Sequence, residues 1–239
     1  PSTEFYRYRL YRSSGEWLDP AQVHHTAARR VAEIRDSFSG RSLPTATATF
    51  TDEQRQQELL TNLADEISAQ MAHLGAWLSV TASADLVLQR VAPDRTTLEP
   101  VVRYIGSFGQ TERPAAVMVN LQLVDAYPPL ARAALMTEMV AGHHLAAEAA
   151  PPWFGQDYTT SALDTSGWAA YITDFVGSRL SDGPAKDAYT WHQLLRNTRV
   201  VVDTGVHAFG WTNARAQSFF VQTLGISTSA AATEVSVIR

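Results

Sequence analysis

Three short runs rich in β-branched residues interrupt a chain whose other apolar positions recur at a helical step: Leu86-Val-Leu-Gln-Arg-Val91, Val101-Val-Arg-Tyr-Ile105 and Ala115-Ala-Val-Met-Val-Asn-Leu121. Runs this short, bounded by Pro and Gly turns, read as strands. Two or three such strands make one small sheet, and the helices around them must supply most of the core. The expected fold class is α+β, mostly helical with one small antiparallel sheet. The chain has 239 residues, 45% of them hydrophobic, enough for a packed interior. It reads as a single domain over 1–239, with an arm and first helix in 1–40, a helix in 51–75, the sheet in 86–123 and a helical region in 128–239.

The helix limits are written in local chemistry. Asp19-Pro20 supplies an N-cap followed by proline at the first helical position, and Gly40 stands where a C-cap belongs, so the first helix is expected over Pro20 to Phe38. Thr51-Asp-Glu-Gln54 has the form of a capping box for a helix reaching Leu74, with Leu59, Leu63, Ile67, Met71 and Leu74 as its core face. Pro128-Pro129 opens a further helix, with Gly142 as a kink and Pro151-Pro152 as its stop. Helices are expected over Ser166 to Leu180, Tyr189 to His207 and Thr212 to Leu224, and from Ser227 onward.

Composition excludes several functions. A formal charge of −5, with no basic run, argues against a protein that tracks phosphate backbones, so nucleic acid is not an expected partner. No apolar stretch approaches the roughly 20 residues needed to span a bilayer, so no membrane partner is expected either. With no cysteine, any transition metal would have to be held by His, Asp or Glu. The expected location is cytoplasmic. The chain opens on Pro1 without Met, which reads as a trimmed chain or a fragment.

Two segments carry candidate chemistry. In Leu135-Met-Thr-Glu-Met-Val-Ala-Gly-His-His-Leu145, Glu138 lies mid-helix between Met136 and Met139, where burial would raise a carboxyl pKa and suit a base; the alternative is a surface glutamate. His143 and His144 are adjacent and point in different directions, so at most one is expected to share a pocket with Glu138, and such a pair after a glycine is more often structural than a ligand set. In Arg199-Val-Val-Val-Asp203-Thr-Gly-Val-His207, the three polar side chains recur at i, i+4 and i+8 on one helical face. A carboxylate between a guanidinium and an imidazole stays ionised and can orient the imidazole, as acid–base sites require. The alternative is a surface ion pair with a histidine complementing the helix dipole. His24 and His25 read as solvent or partner contacts. Trp77, Trp153, Trp168 and Trp211 read as core or pocket-wall residues.

Taken together, Thr137-Glu-Met-Val-Ala-Gly-His-His144, Ser166-Gly-Trp-Ala-Ala-Tyr-Ile-Thr173 and Arg199-Val-Val-Val-Asp-Thr-Gly-Val-His-Ala-Phe-Gly-Trp211 resemble the motifs of the bacterial domain of unknown function 885 family, metallopeptidase-like proteins. The opening Phe5-Tyr-Arg-Tyr-Arg-Leu10 and the helix around Val23-His24 resemble it too. The resemblance implies a cleft of the gluzincin type, with the sheet beside the Glu138 helix. It places Thr137 where the family has a histidine, Ser166 and Thr173 where it has glutamates, and Ala141 where it has proline. Hydroxyls are poor ligands beside imidazole and carboxylate, so no metal and no other cofactor is expected. Glu138, His143, His144, Tyr171, Arg199, Asp203 and His207 remain. Members of the family are longer than this chain, which implies a partner subunit that completes the fold.

The expected function is a metal-independent acid–base enzyme of specialised metabolism, one subunit of a heteromeric complex. It would catalyse elimination or intramolecular displacement of an oxyanion leaving group, aziridine ring closure with sulfate loss being one example. Glu138, Asp203 and His207 are the expected catalytic residues, with Glu138 or Asp203 as base. His143, His144, Arg199, Tyr171 and Trp168 are expected to bind a small anionic substrate. Two alternatives stand beside this: a non-catalytic subunit supporting a partner, and a residual zinc hydrolase.

Overall fold

A computed structural model of the chain describes residues 18–39, 53–78, 86–92, 102–105, 115–127, 129–148 and 172–238. Along these run α1 (Pro20–Ser37), α2 (Glu53–Leu78), β1 (Leu86–Arg90), β2 (Val102–Ile105), β3 (Ala115–Val119), α3 (Leu121–Ala126), α4 (Pro129–Glu148), α5 (172–179), α6 (Pro184–Ala208), α7 (Asn213–Leu224) and α8 (Thr228–Ile238). The α+β class and the helical majority agree with the expectation. The chain gathers into two units, one from residues 48–189 and one from 1–47 with 190–239.

In the unit of residues 48–189, β3 is the middle strand, in the order β1-β3-β2. Ala115, Ala116, Val117 and Val119 are all buried, as the continuous apolar run of a central strand requires. One expectation is corrected here, because the sheet is mixed. β2 and β3 are antiparallel, with Val102 opposite Val119, but β1 runs parallel to β3, with Leu86 opposite Ala115. Alternation and turn residues fix which segments are extended, while strand order depends on what each edge packs against. The apolar face of α2, with Leu59, Leu63, Ile67 and Leu74 buried, packs against α4, and Met71 is only partly covered. A buried Asn120 caps α3 after β3, accepting from the Leu123 N–H at 3.4 Å. The Asp125 carboxylate then gathers Arg55 of α2 at 3.1 Å and Arg132 of α4 at 3.4 Å. Helix α4 continues through Gly142, since a single glycine costs only about 1 kcal/mol and packing overrides it.

In the other unit, Asp19 caps α1 as its sequence implies, accepting from the Ala21 N–H at 3.0 Å, and Phe38 is the C-cap. Gly40, Thr51 and Pro151-Pro152 lie outside the described residues. Thr212 caps α7, which ends at Gly225 in the left-handed conformation (φ 67°). Ser227 Oγ accepts from the Ala230 N–H at the start of α8. Helices α7 and α8 pack together, burying Phe220, Leu224, Ala231 and Val235.

Candidate functional site

Helix α4 offers one set of candidate residues. Its buried positions include Met136, Thr137, Val140, Ala141, His143 and His144, while Glu138 is half-buried. Thr137 is 0% exposed. Its hydroxyl lies 2.8 Å from the Ala133 carbonyl and 2.9 Å from the Tyr189 hydroxyl. A carbonyl can only accept, so Thr137 donates to Ala133 and accepts from Tyr189. Burial pushes the Tyr189 pKa above its usual value of 10.0, the Thr137 hydrogen bond opposes this, and the charge of Glu66 adds to the rise. Tyr189 therefore stays a neutral donor at ordinary pH. Gly177 of α5 lets the ring sit close: a Cβ there would lie 2.6 Å from the Tyr189 Cβ.

The two α4 histidines diverge, as their adjacency implies. His143 Nδ1 lies 3.1 Å from the Tyr104 hydroxyl of β2, and the two rings meet edge to face at 5.8 Å. His144 Nε2 donates to the Met71 carbonyl of α2 at 3.3 Å. The ring centroids of the pair are 6.1 Å apart. Thr173, on α5, is buried. Ser166, Trp168 and Tyr171 lie outside the described residues.

The second set is on α6, in the unit that contains the termini. Asp203 Oδ1 stands 3.7 Å from His207 Nε2, so the expected carboxylate–imidazole juxtaposition is present. That same nitrogen donates to the Ile238 carbonyl on α8 at 3.0 Å, which anchors the ring. Arg199 grips Glu234 of α8 with both arms of its guanidinium, Nε to Oε2 at 2.9 Å and a terminal nitrogen to Oε1 at 2.7 Å. The Glu234 side chain is only 3% exposed. Glu234 was not singled out by sequence reading, although one carboxylate in the apolar stretch Ala-Ala-Thr-Glu-Val-Ser-Val signals a buried charge that needs a partner. Tyr104 and Tyr189 had no such signal, because their partners lie on other elements.

Among the described residues no three His, Asp or Glu side chains come together so as to hold an ion, and the Thr137 hydroxyl is already committed on both sides. These residues do not fit a zinc centre.

The fold itself is shared with a solved protein. The chain matches the crystal structure of "the putative lipoprotein from Colwellia psychrerythraea" with a TM-score of 0.74 at 19% identity, over 99% of this chain and 45% of that one. It thus spans less than half the length of that relative. No curated protein matches it in sequence. One family model, described as "Bacterial protein of unknown function (DUF885)", matches residues 2–237.

Proposed function

The chain belongs to the DUF885 family of bacterial proteins, and from that premise we propose that it is a metal-independent acid–base enzyme, one subunit of a heteromeric complex in specialised metabolism. In this reading α4 lines a gluzincin-like cleft without its ion. Glu138 is the base, and a small anionic substrate loses an oxyanion leaving group by elimination or intramolecular displacement. The supporting observation is the sealed Thr137–Tyr189 hydroxyl pair beside a half-buried Glu138. Where the resemblance places a metal-binding imidazole, this helix carries a buried hydroxyl, while the neighbouring carboxylate keeps partial access to solvent.

The step balances without a cofactor. For ring closure, an amine nitrogen attacks the carbon bearing a sulfate ester. The N–C bond forms as the C–O bond breaks, sulfate leaves with the electron pair, and the carboxylate takes the ammonium proton. Proton transfer of this kind contributes on the order of 10²–10⁴-fold. Glu138→Gln should therefore lower sulfate release at least ~100-fold when the chain, co-purified with the product of a neighbouring gene, is given a vicinal amino sulfate ester and sulfate is read by ion chromatography. Activity should persist in excess EDTA. A Glu138→Gln enzyme as fast as wild type removes Glu138 from the role, and the matching Asp203→Asn measurement then tests Asp203 with His207 as the pair.

A second reading has its own support. His143, His144, Arg199 and His207 each bind an internal group, namely Tyr104, the Met71 carbonyl, Glu234 and the Ile238 carbonyl. These contacts suit a non-catalytic subunit that shapes a partner. Full turnover by the partner alone would favour that reading.

A further inference from the structure

The unit that contains the termini holds a histidine outside the chemistry proposed for Glu138. His24, on α1, places Nδ1 2.7 Å from the Thr204 hydroxyl of α6. Thr204 Oγ1 is itself 2.8 Å from the Val200 carbonyl and 3.1 Å from that of Val201, and carbonyls only accept. The threonine proton is spent on the backbone, so Thr204 accepts from His24 and the imidazole proton of the neutral ring sits on Nδ1. Burial lowers the His24 pKa below 6.5; a hydrogen bond to the Val201 carbonyl opposes this, and the nearby cations Arg215 and His25 lower it further. At neutral pH the ring is uncharged and Nε2 is a lone-pair acceptor. Among the described residues no donor reaches Nε2.

The surroundings of that nitrogen are built rather than incidental. The imidazole meets Phe209 and Trp211 in T-shaped arrangements, with ring centroids 5.0 Å and 5.6 Å away. Phe209 is 47% exposed, one of the few large apolar side chains open to solvent among the described residues. Trp211 is fixed from several sides. Its backbone N–H donates to the Gly205 carbonyl at 2.9 Å, and its indole packs so closely on Gly205 that a Cβ there would lie 2.5 Å from Cδ2. The Arg215 guanidinium lies over the indole at 4.3 Å, and the residue is exposed.

We propose that His24, Phe209 and Arg215 form a binding site for a planar aromatic anion that also carries an N–H or O–H donor. The donor meets Nε2, the ring lies against Phe209, and the carboxylate meets Arg215. The tautomer set by Thr204 gives the site its polarity, because the opposite tautomer would present a proton to the ligand's proton.

Indole-3-carboxylate is a suitable probe, since it combines all three features. Titrated into the full chain at pH 7.5, it should bind saturably with one site, and the His24 Nε2 resonance should shift on ¹⁵N-histidine NMR. His24→Phe keeps a ring and loses the acceptor. Arg215→Gln keeps the stem and loses the charge. Each should weaken binding roughly tenfold, the worth of one good polar contact, and Arg215→Gln should also erase the preference for indole-3-carboxylate over indole. Arg29→Gln, an exposed α1 change, should leave binding intact, and circular dichroism checks that each variant is folded. Absence of saturable binding overturns the proposal, as does binding unchanged in both variants. In the unliganded chain, a His24 carrying its proton on Nε2 overturns it as well.

Discussion

Lowering the pH below 6.5 works against His24 in the folded chain. Its folded pKa lies below the unfolded value of 6.5, so between the two the unfolded chain binds more protons. Stability is complete above 6.5 with respect to this group and falls as the pH drops through that window. Urea midpoints measured from pH 7.5 downward should show this loss, and His24→Gln should have a shallower slope over the same range. The sequence carried this residue only as half of a histidine pair, because its character comes from Thr204, Phe209 and Trp211, far along the chain. Glu138, His143 and His144 were legible as candidates from their spacing. What holds the two imidazoles was not, since Tyr104 and the Met71 carbonyl sit on a strand and a helix whose approach no local pattern encodes.

Helices were read closely from their caps: Asp19-Pro20, Thr212 and Ser227 mark the starts of α1, α7 and α8 by the hydrogen bonds they make. Strand positions were equally legible, and strand order was not, for the reason that β1 pairs with β3 and not with β2, the strand that follows it in sequence. The contact between α6 and α8 illustrates what sequence periodicity leaves out. Arg199 shares a helical face with Asp203, yet its two-armed partner is Glu234 on α8. Glu234→Gln should cost about 2 kcal/mol in chemical denaturation, less than the ~3–5 kcal/mol of breaking a fully buried pair because Arg199 is partly solvated. Arg199→Met combined with Glu234→Met should recover most of that loss. Gly205→Ala tests the α6–α7 junction. The added methyl meets an indole that cannot retreat, so a destabilisation of about 1–3 kcal/mol is expected, with loss of the tryptophan signal in near-ultraviolet circular dichroism.

At the scale of the molecule, the chain accounts for 45% of the solved relative's length while matching it over 99% of its own. The proposed heteromeric complex assigns the remaining surface to a partner subunit. Light scattering of the chain with and without its co-purified neighbour checks this: a stable monomer that ignores the neighbour counts against it. Among the described residues no helix is long and apolar enough to cross a membrane.

The placement of β3 between its two neighbours also sets an order of events. Among the described residues β1 pairs only with β3, and so does β2. As the chain leaves the ribosome, β1 and β2 both emerge before β3, and among the described strands no native pairing can start until Ala115 to Val119 has emerged. Until then two apolar strand edges remain open, the condition under which nascent chains associate wrongly. α2, already complete and touching β1, is the native element at hand to shelter it during that interval.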